Sequence, residues 1–269
     1  MAIFIRKSGA WIEMRRPSVR HSGSWRGLRF INVWDELSKV WREVWRVEDP
    51  GIIDPPEEGD FITGDELAEA IGLTDGISQN SDSPWLGFSF NGEYVYVPQK
   101  TFRQDITWQS IYQAGAVYGT DDYGRHPVGG NRIQDARVTI KGKEYRVTLL
   151  KGANAEDLHV PLDPEQRYDV YMSTMFSEWN QLMYRVAATG IPDPASQPYG
   201  VWHQYSAEEL FMNYPDNSGT SSWCQERCFV NNQPRRVIRG TVGVTYFDGD
   251  HPQFYHYSMG WRPALRTPM

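Results

Sequence analysis

Ile5-Arg6-Lys7-Ser8-Gly9-Ala10-Trp11 recurs fourteen residues later as Val19-Arg20-His21-Ser22-Gly23-Ser24-Trp25. A looser third copy, from about Val33 to Trp41 and Val44, keeps the apolar and Trp positions and loses the Gly. Each good copy reads as an apolar residue, two cationic or polar residues, a Ser-Gly turn and a Trp. Gly supplies the positive φ that a tight reversal needs, and branched and aromatic residues flank it, so the segment is predicted to form β-hairpins. A unit this small cannot bury its own Trp and must stack on its neighbours or on another protein. The repeat therefore points to assembly before it points to chemistry.

Charge separates this head from the rest of the chain. Residues 1–46 carry a net +6, whereas Val47 to Gln99 contain no Lys or Arg and carry −12, within a chain of net charge −7. A basic, Trp-rich head beside acidic sequence is one way to hold nucleic acid, by phosphate neutralisation and base stacking. The Trp positions, however, track the hairpin repeat and not a stacking platform. Complementary packing between subunits or onto an acidic protein surface is the better reading, and no nucleic-acid partner is expected.

The stretch Glu48-Asp49-Pro50-Gly51-Ile52-Ile53-Asp54-Pro55-Pro56-Glu57-Glu58-Gly59-Asp60 is rich in Pro and acid and is expected to be an extended linker without regular structure. The remainder is long enough for one sizeable domain. No apolar run approaches the roughly 18 residues of a membrane span. The start of the chain lacks the apolar stretch of a signal peptide, so neither export nor membrane insertion is expected. With only Cys224 and Cys228 present, a disulfide scaffold is excluded and synthesis in a reducing cytoplasm is expected.

Beyond the linker, local signals are strong. Thr63 with Glu66 reads as a capping box opening a short helix that Gly72 stops. Trp85–Phe90 and Tyr94–Pro98 flank Asn91-Gly92, the strongest short hairpin signal. A short helix is expected over Ser110–Gly115, after Thr107-Trp108. Val138–Ile140 and Tyr145–Leu150 flank a second turn at Lys141-Gly142-Lys143. Ser177–Val186 reads as a helix, with Trp179, Leu182, Met183 and Val186 on one face. A loop-rich stretch is expected from Thr189 to Pro234, followed by closing strands over Arg239–Tyr246 and Tyr255–Leu265.

The succession Trp85-Leu86-Gly87-Phe88, Ile106-Thr107-Trp108-Gln109-Ser110-Ile111-Tyr112, Tyr145–Gly152, Ser177–Tyr184 and Gly260-Trp261-Arg262-Pro263-Ala264-Leu265 resembles virion structural proteins of tailed bacteriophages. Their C-terminal domain is similar to the C-type-lectin or formylglycine-generating-enzyme fold, and hairpin repeats like the opening one occur in phage tail and fibre proteins. The resemblance implies an α+β chain in three parts. Residues 1–47 would be a β-hairpin module anchoring to other virion proteins, 48–62 the linker, and 63–269 a C-type-lectin-like domain. It implies a tail, tail-tip or fibre component for host adsorption, assembled in the host cytoplasm and located in the virion. A capsid decoration or head-fibre protein is the alternative, and a virion-associated glycan hydrolase a third reading. Trp11, Trp25, Trp34, Trp41, Arg6 and Arg20 are the expected anchoring residues. Exposed Trp hairpins and fibre-like symmetry lead to the expectation of a homotrimer.

The site inventory favours binding over catalysis, and no catalytic residue or cofactor is expected. Cys224 and Cys228 enclose three residues, which matches neither a redox Cys-x-x-Cys nor a four-ligand zinc site without His partners such as His203, His251 or His256. Small buried thiols and one local disulfide are both open readings. Glycan hydrolysis needs two convergent carboxylates, and Glu178, Glu208, Glu209, Glu226, Asp248 and Asp250 are available for that. Glu178 reads first as a helix flank, Glu208-Glu209 as the opening of a short helix over Ala207–Met212, and Asp248-Gly249-Asp250 as a turn. Gln197-Pro198-Tyr199 and Trp179-Asn180-Gln181 miss the lectin calcium motifs, so no metal is expected. Between Pro192 and Gln233, Tyr199, Trp202, His203, Tyr205, Tyr214 and Trp223 are interleaved with small polar residues. They are the receptor-binding candidates, for a host-surface glycan or protein. Trp202 and Trp223 also fit as core plugs beside Gly- or Ser-rich turns.

Overall fold

A computed structural model describes the strand backbones between residues 3 and 46, and residues 51–269 apart from 55, 57–58, 161–176, 189–204 and 213–218. Strand outweighs helix, at 40% against 12%, which makes the chain β-dominated and compatible with an α+β class. Contacts divide it into two units, Met1–Asp49 with Phe90–Gly92, and Pro50–Ser89 with Glu93–Met269.

The first unit holds three successive antiparallel hairpins, each a two-stranded sheet. They are β1 (Ile3–Lys7) with β2 (Ala10–Met14), β3 (Ser18–His21) with β4 (Ser24–Gly27), and β5 (Phe30–Asp35) with β6 (Val40–Arg46). The repeat is therefore structural as well as sequential. Arg6 is the register partner of Trp11 and Arg20 of Trp25, at equivalent places in the first two hairpins. In the third, Trp34 faces Trp41 in register, and the pairing shifts between Ile31 and Asn32. The expected anchoring residues thus all fall in paired strands. Their side chains lie outside the described residues.

In the second unit a six-stranded sheet runs in the order β12-β13-β19-β10-β9-β7. Its members are β7 (Gly51–Ile53), β9 (Trp85–Phe90), β10 (Glu93–Pro98), β12 (Arg137–Ile140), β13 (Lys143–Leu149) and the C-terminal β19 (Pro263–Pro268). Asn91 and Gly92 take φ of 52° and 76°, and Lys141 and Gly142 take 48° and 79°. These left-handed pairs let two-residue turns follow the strand twist. The expected linker needs correction here, because Gly51–Ile53 pairs antiparallel with β9. Isolated Ile52-Ile53 between Pro residues gives no alternation to read, yet a sheet edge accepts so short a strand. Phe61 comes after it and packs edge-on against Trp85 at 5.1 Å and Tyr145 at 5.5 Å.

Among the described residues, three helices begin at their caps. Thr63 and Glu66 form the reciprocal box at the start of α1 (Gly64–Ala70), Thr107 caps α2 (Trp108–Gln113), and Ser177 caps α3 (Glu178–Val186). Among the described residues no helix is long and apolar enough to cross a membrane. Two short strands, β8 (Ile77–Ser78) and β11 (Arg103–Gln104), pair beside α1 and α2 in sequence.

A second sheet joins β14 (Leu158–His159), β15 (Ser221–Val230), β16 (Gln233–Gly240) and β17 (Gly243–Asp250), with β18 (Met259–Gly260) also on β15. Two expectations are overturned here and one is narrowed. The stretch Thr189–Pro234, expected to be loop-rich, contains the ten-residue strand β15 and the start of β16. The segment Arg239–Tyr246 is the end of β16 and the start of β17 around a turn at Thr241-Val242. Asp248-Gly249-Asp250 ends a strand and is not a turn. The cause in β15 is burial on both faces, which removes the polar–apolar alternation that marks a half-exposed strand. Its polar side chains are satisfied internally instead. Gln225 Nε2 donates to Leu149 O at 2.6 Å, and Ser221 Oγ meets Thr241 Oγ1 at 2.7 Å.

The core of this unit gathers Leu67 and Ala68 of α1, Ile111 and Tyr112 of α2, Val147 and Leu149 of β13, Leu265 of β19, Trp223 and Ile238 of the second sheet, and Trp261. Trp108, Trp223 and Trp179 bring their buried N–H groups to carbonyls, whereas the buried Nε1 of Trp261 has no hydrogen-bond partner among the described residues. Trp108 donates to Cys224 O at 2.9 Å, Trp223 to Ile106 O at 2.8 Å and Trp179 to Val244 O at 2.7 Å. Three fully buried arginines stitch loops to strands, mostly through carbonyl oxygens. Arg262 donates to Pro98 O at 3.1 Å and Leu210 O at 2.5 Å, and Arg239 to Gly152 O at 2.8 Å. Arg236 lies over the Trp108 ring at 3.7 Å and donates to Tyr118 Oη at 3.1 Å. Burial lowers the Arg262 guanidinium to about 9 and also lowers Arg236.

Candidate functional site

An open cleft of about 500 Å³ lies between the loop after α1 and the exposed side of α2. That volume falls in the range of small-molecule sites, roughly 300–1,000 Å³. Its apolar lining is Leu73 and Ala114, both buried. Around this patch stand hydroxyls from Thr107 and Ser110, a carboxylate from Asp75, and side-chain amides from Gln109, Gln113 and Gln253.

Local structure places each group. Thr107 caps α2 and its Oγ1 accepts from Ser110 N at 3.0 Å, which brings the two hydroxyls to 2.7 Å. Ser110 Oγ then donates to Asp75 Oδ2 at 2.6 Å. The Asp75 loop is held from behind, because Arg103 Nη1 donates to Asp75 O and Gly76 O at 3.1 Å each. Gln109 N donates to Pro252 O at 2.9 Å, tying α2 to the 251–257 segment. Gln109 Oε1 is buried with no hydrogen-bond partner, an unmet acceptor of a kind that native interiors seldom leave. Gly129 stands against this side chain at φ +73°, where a Cβ would collide with Gln109 Nε2. Any side chain at position 129 would displace that amide.

Next to Gln253 the chain presents Phe254, Tyr255, His256 and Tyr257. Phe254, Tyr255 and Tyr257 are 37%, 63% and 45% exposed. The Phe254 and His256 rings stack at 5.5 Å and 15°, and His256 meets Tyr257 at 4.1 Å. His256 Nδ1 accepts from Ser258 N at 3.2 Å, which fixes the ring. Exposed aromatic groups next to a polar cleft are of the kind that interaction sites use, which makes this segment the candidate site.

Sequence reasoning missed this place. It absorbed Tyr255 into a closing strand, although strand pairing begins only at Met259. The signal was present as four consecutive rings after Pro252-Gln253, a run with no alternation. Of the receptor-binding candidates, Tyr199, Trp202, His203 and Tyr214 lie outside the described residues. Tyr205 is half-buried, and its backbone is bonded to Val186 and Ala188 after α3. Trp223 is corrected from candidate to core: it is 1% exposed on β15 and cannot stack on a ligand.

The expected carboxylates are taken up by internal bonds, with Glu178 and Glu226 buried on the consecutive amides of Lys151 and Gly152. Glu178 is buried against Arg266 at 2.6 Å. Glu226 is buried, accepts from Gly152 N at 2.9 Å, and burial pushes its carboxyl up to about 8. Glu209 exchanges bonds with Ser206 in a turn over Ala207–Phe211 where a helix was expected. Asp248 is bonded to Tyr246 Oη at 3.0 Å. Both thiols are free and buried, and burial raises both well above the usual range. Four residues apart on one strand, their Cα atoms stand roughly 13 Å apart, beyond the roughly 7 Å limit for a bridge. The local-disulfide reading is thereby removed. Among the described residues no three His, Cys, Asp or Glu side chains are grouped to hold a metal.

Compared with protein-family models, curated proteins and solved structures, the chain matches none.

Proposed function

We propose that this chain is a structural protein of a tailed-bacteriophage virion, a tail, tail-tip or fibre component that attaches through residues 1–47 and presents its second unit to the host surface. The observation that carries this reading is the split between three self-paired hairpins and a larger unit with its own core. Two-stranded hairpins are marginal alone, so a Trp-bearing series of them calls for neighbouring chains, and a homotrimer is the assembly we infer. A C-type-lectin-like plan for residues 63–269 is supported by the last strand, which returns between β10 and β13, and by a second sheet that long connections join to the first. Binding is favoured over hydrolysis because Asp75 is the one carboxylate lining the cleft among the described residues, whereas glycoside cleavage uses two.

Immunogold labelling of intact particles with antibody to the second unit tests the assignment. Label on the tail is the expected result. Label confined to the capsid replaces it with the decoration or head-fibre reading, and unlabelled particles overturn both.

A further inference from the structure

We propose that the face formed by the exposed side of α1, the Asp75 loop and the Phe254–Tyr257 strip receives the basic hairpins of a second copy of this chain. The inference rests on the reading of residues 1–47 as the attachment part, and it names a surface to which they attach. Of the eight large hydrophobic side chains exposed among the described residues, four are Ile77, Phe254, Tyr255 and Tyr257. Ile77 follows the Asp75 loop, and the three rings follow Gln253, which lines the same cleft as Asp75. The two segments also adjoin at Gly219. Its N–H donates to Tyr257 O at 2.7 Å, and Gln79, two residues after Ile77, packs against it. Apolar exposure gathered in this way is the pattern of a protein-contact surface.

Carboxylates border these apolar groups. Asp65, Glu66, Glu69 and Asp75 are all exposed. Arg103 holds the start of α1 beside the Asp75 loop, with Nη2 3.8 Å from Asp65 Oδ1 and Nη1 donating to Asp75 O at 3.1 Å. The Arg103 side chain is itself only 13% exposed, and Val47–Gln99 add no Lys or Arg to this face. Carboxylates and aromatic rings together suit guanidinium groups, which pair with the former and stack on the latter. Residues 1–46 supply such groups, with ten Lys and Arg against four acidic residues, and five Trp. Arg6 with Trp11 and Arg20 with Trp25 are register partners, so the first two hairpins repeat the same two residue types at one register position. Because the giving and receiving surfaces differ, the contact is heterologous. Each copy gives its hairpins to one neighbour and receives those of another, which closes as a ring in the trimer inferred above.

Sedimentation velocity of the full-length protein, over a range of concentration and salt, reads the association. Association that weakens as salt rises is expected. Asp75→Lys with Tyr255→Ala disables the receiving face, and Arg6→Glu with Arg20→Glu disables the incoming hairpins. Each substitution should weaken association about tenfold. Mixing the two defective proteins should restore a one-to-one complex, because the intact hairpins of one meet the intact face of the other. Tyr123→Ala, an exposed ring on another loop, should change nothing. Benzoylphenylalanine in place of Tyr255 keeps the charges of the parent, and on illumination it should capture residues 1–46 of an isotope-labelled second copy. A monomer at every salt, association undiminished in either double variant, no complex on mixing, or a crosslink confined to one chain overturns the proposal. Tail labelling with a monomeric protein removes only this surface. Hairpin-to-face assembly with unlabelled particles removes only the virion assignment.

Discussion

Arg266 on the C-terminal strand and Glu178 at the start of α3 meet at 2.6 Å inside the second unit, with side chains 9% and 6% exposed. The same carboxylate accepts from Lys151 N at 3.0 Å, and Arg266 also donates to Thr148 Oγ1 at 2.9 Å. Three chain segments distant in sequence are fastened at one ion pair. Glu178→Ala removes the nearer of two carboxylates from the guanidinium, Glu93 remaining at 3.5 Å, and should cost about 1.5–3 kcal/mol, the worth of a hydrogen bond to a charged group. Urea unfolding of the variant checks this, and a loss under about 1 kcal/mol, the size of an exposed pair, would sink the assignment.

Stability should depend on pH through two glutamates of opposite sign. Burial raises Glu226 to about 8, while the unfolded chain releases that proton near pH ~4.3. Between those values the folded state holds the extra proton, so stability falls as pH rises, by roughly 1.4 kcal/mol per pH unit. For Glu178, burial pushes upward but Arg266 and Lys151 more than offset it and hold the carboxyl below its ordinary value. Its contribution is present above about pH 4.3 and disappears as pH falls through the lowered value. Glu226→Gln should flatten the fall between about pH 5 and 8 and leave the variant more stable than the parent at the upper end. Parallel urea titrations at several pH values decide it.

Both cysteines should be inert in the folded protein. Each thiol is buried and held protonated by its surroundings, and the thiolate is the reactive form. A thiol reagent should find no reactive group in the native chain and two after denaturation. Rapid labelling of native protein would contradict the burial of β15.

Arg236 over Trp108 at 3.7 Å is a stacked contact that a lysine cannot reproduce, because only the guanidinium is planar. Arg236→Lys should lower stability by about 2 kcal/mol. Trp223→Ala, by removing a core ring, should cost about 3–5 kcal/mol. Thermal melts of the two variants check both values. Together with an exposed-ring variant such as Tyr255→Ala, they separate core aromatics from surface ones.

Much of the local architecture was legible because its causes are local. Asn91-Gly92 and Lys141-Gly142 specify their turns by left-handed φ, and Thr63 with Glu66 specifies the start of α1. Helix α2 spans Trp108–Gln113 and not the expected Ser110–Gly115 because Thr107 caps it, and Ser177, expected inside α3, is its cap. The opening repeat likewise predicted its first two hairpins, with Ser-Gly between the strands and the basic residue paired in register with the Trp. Gly51–Ile53 was not legible, because three residues become a strand only when a sheet edge is there to receive them. The cleft was not legible either: Gln109 and Ser110 read as ordinary helix residues until the Asp75 loop and Gln253 are packed beside them.

The amino-acid sequence by itself determined the hairpins, the capping box of α1, the uneven charge and the absence of a disulfide scaffold, since each depends on composition or on residues within a few positions of one another. Tertiary structure alone decided that Ser221–Val230 is a buried strand, that Trp223 belongs to the core, and that Glu178 finds Arg266 across 88 positions. It also decided the cleft. Asp75, Ser110 and Gln253 come from three separate segments, and only the packing of the 72–75 loop and the 251–257 segment against α2 puts a carboxylate, a hydroxyl and an amide around one space.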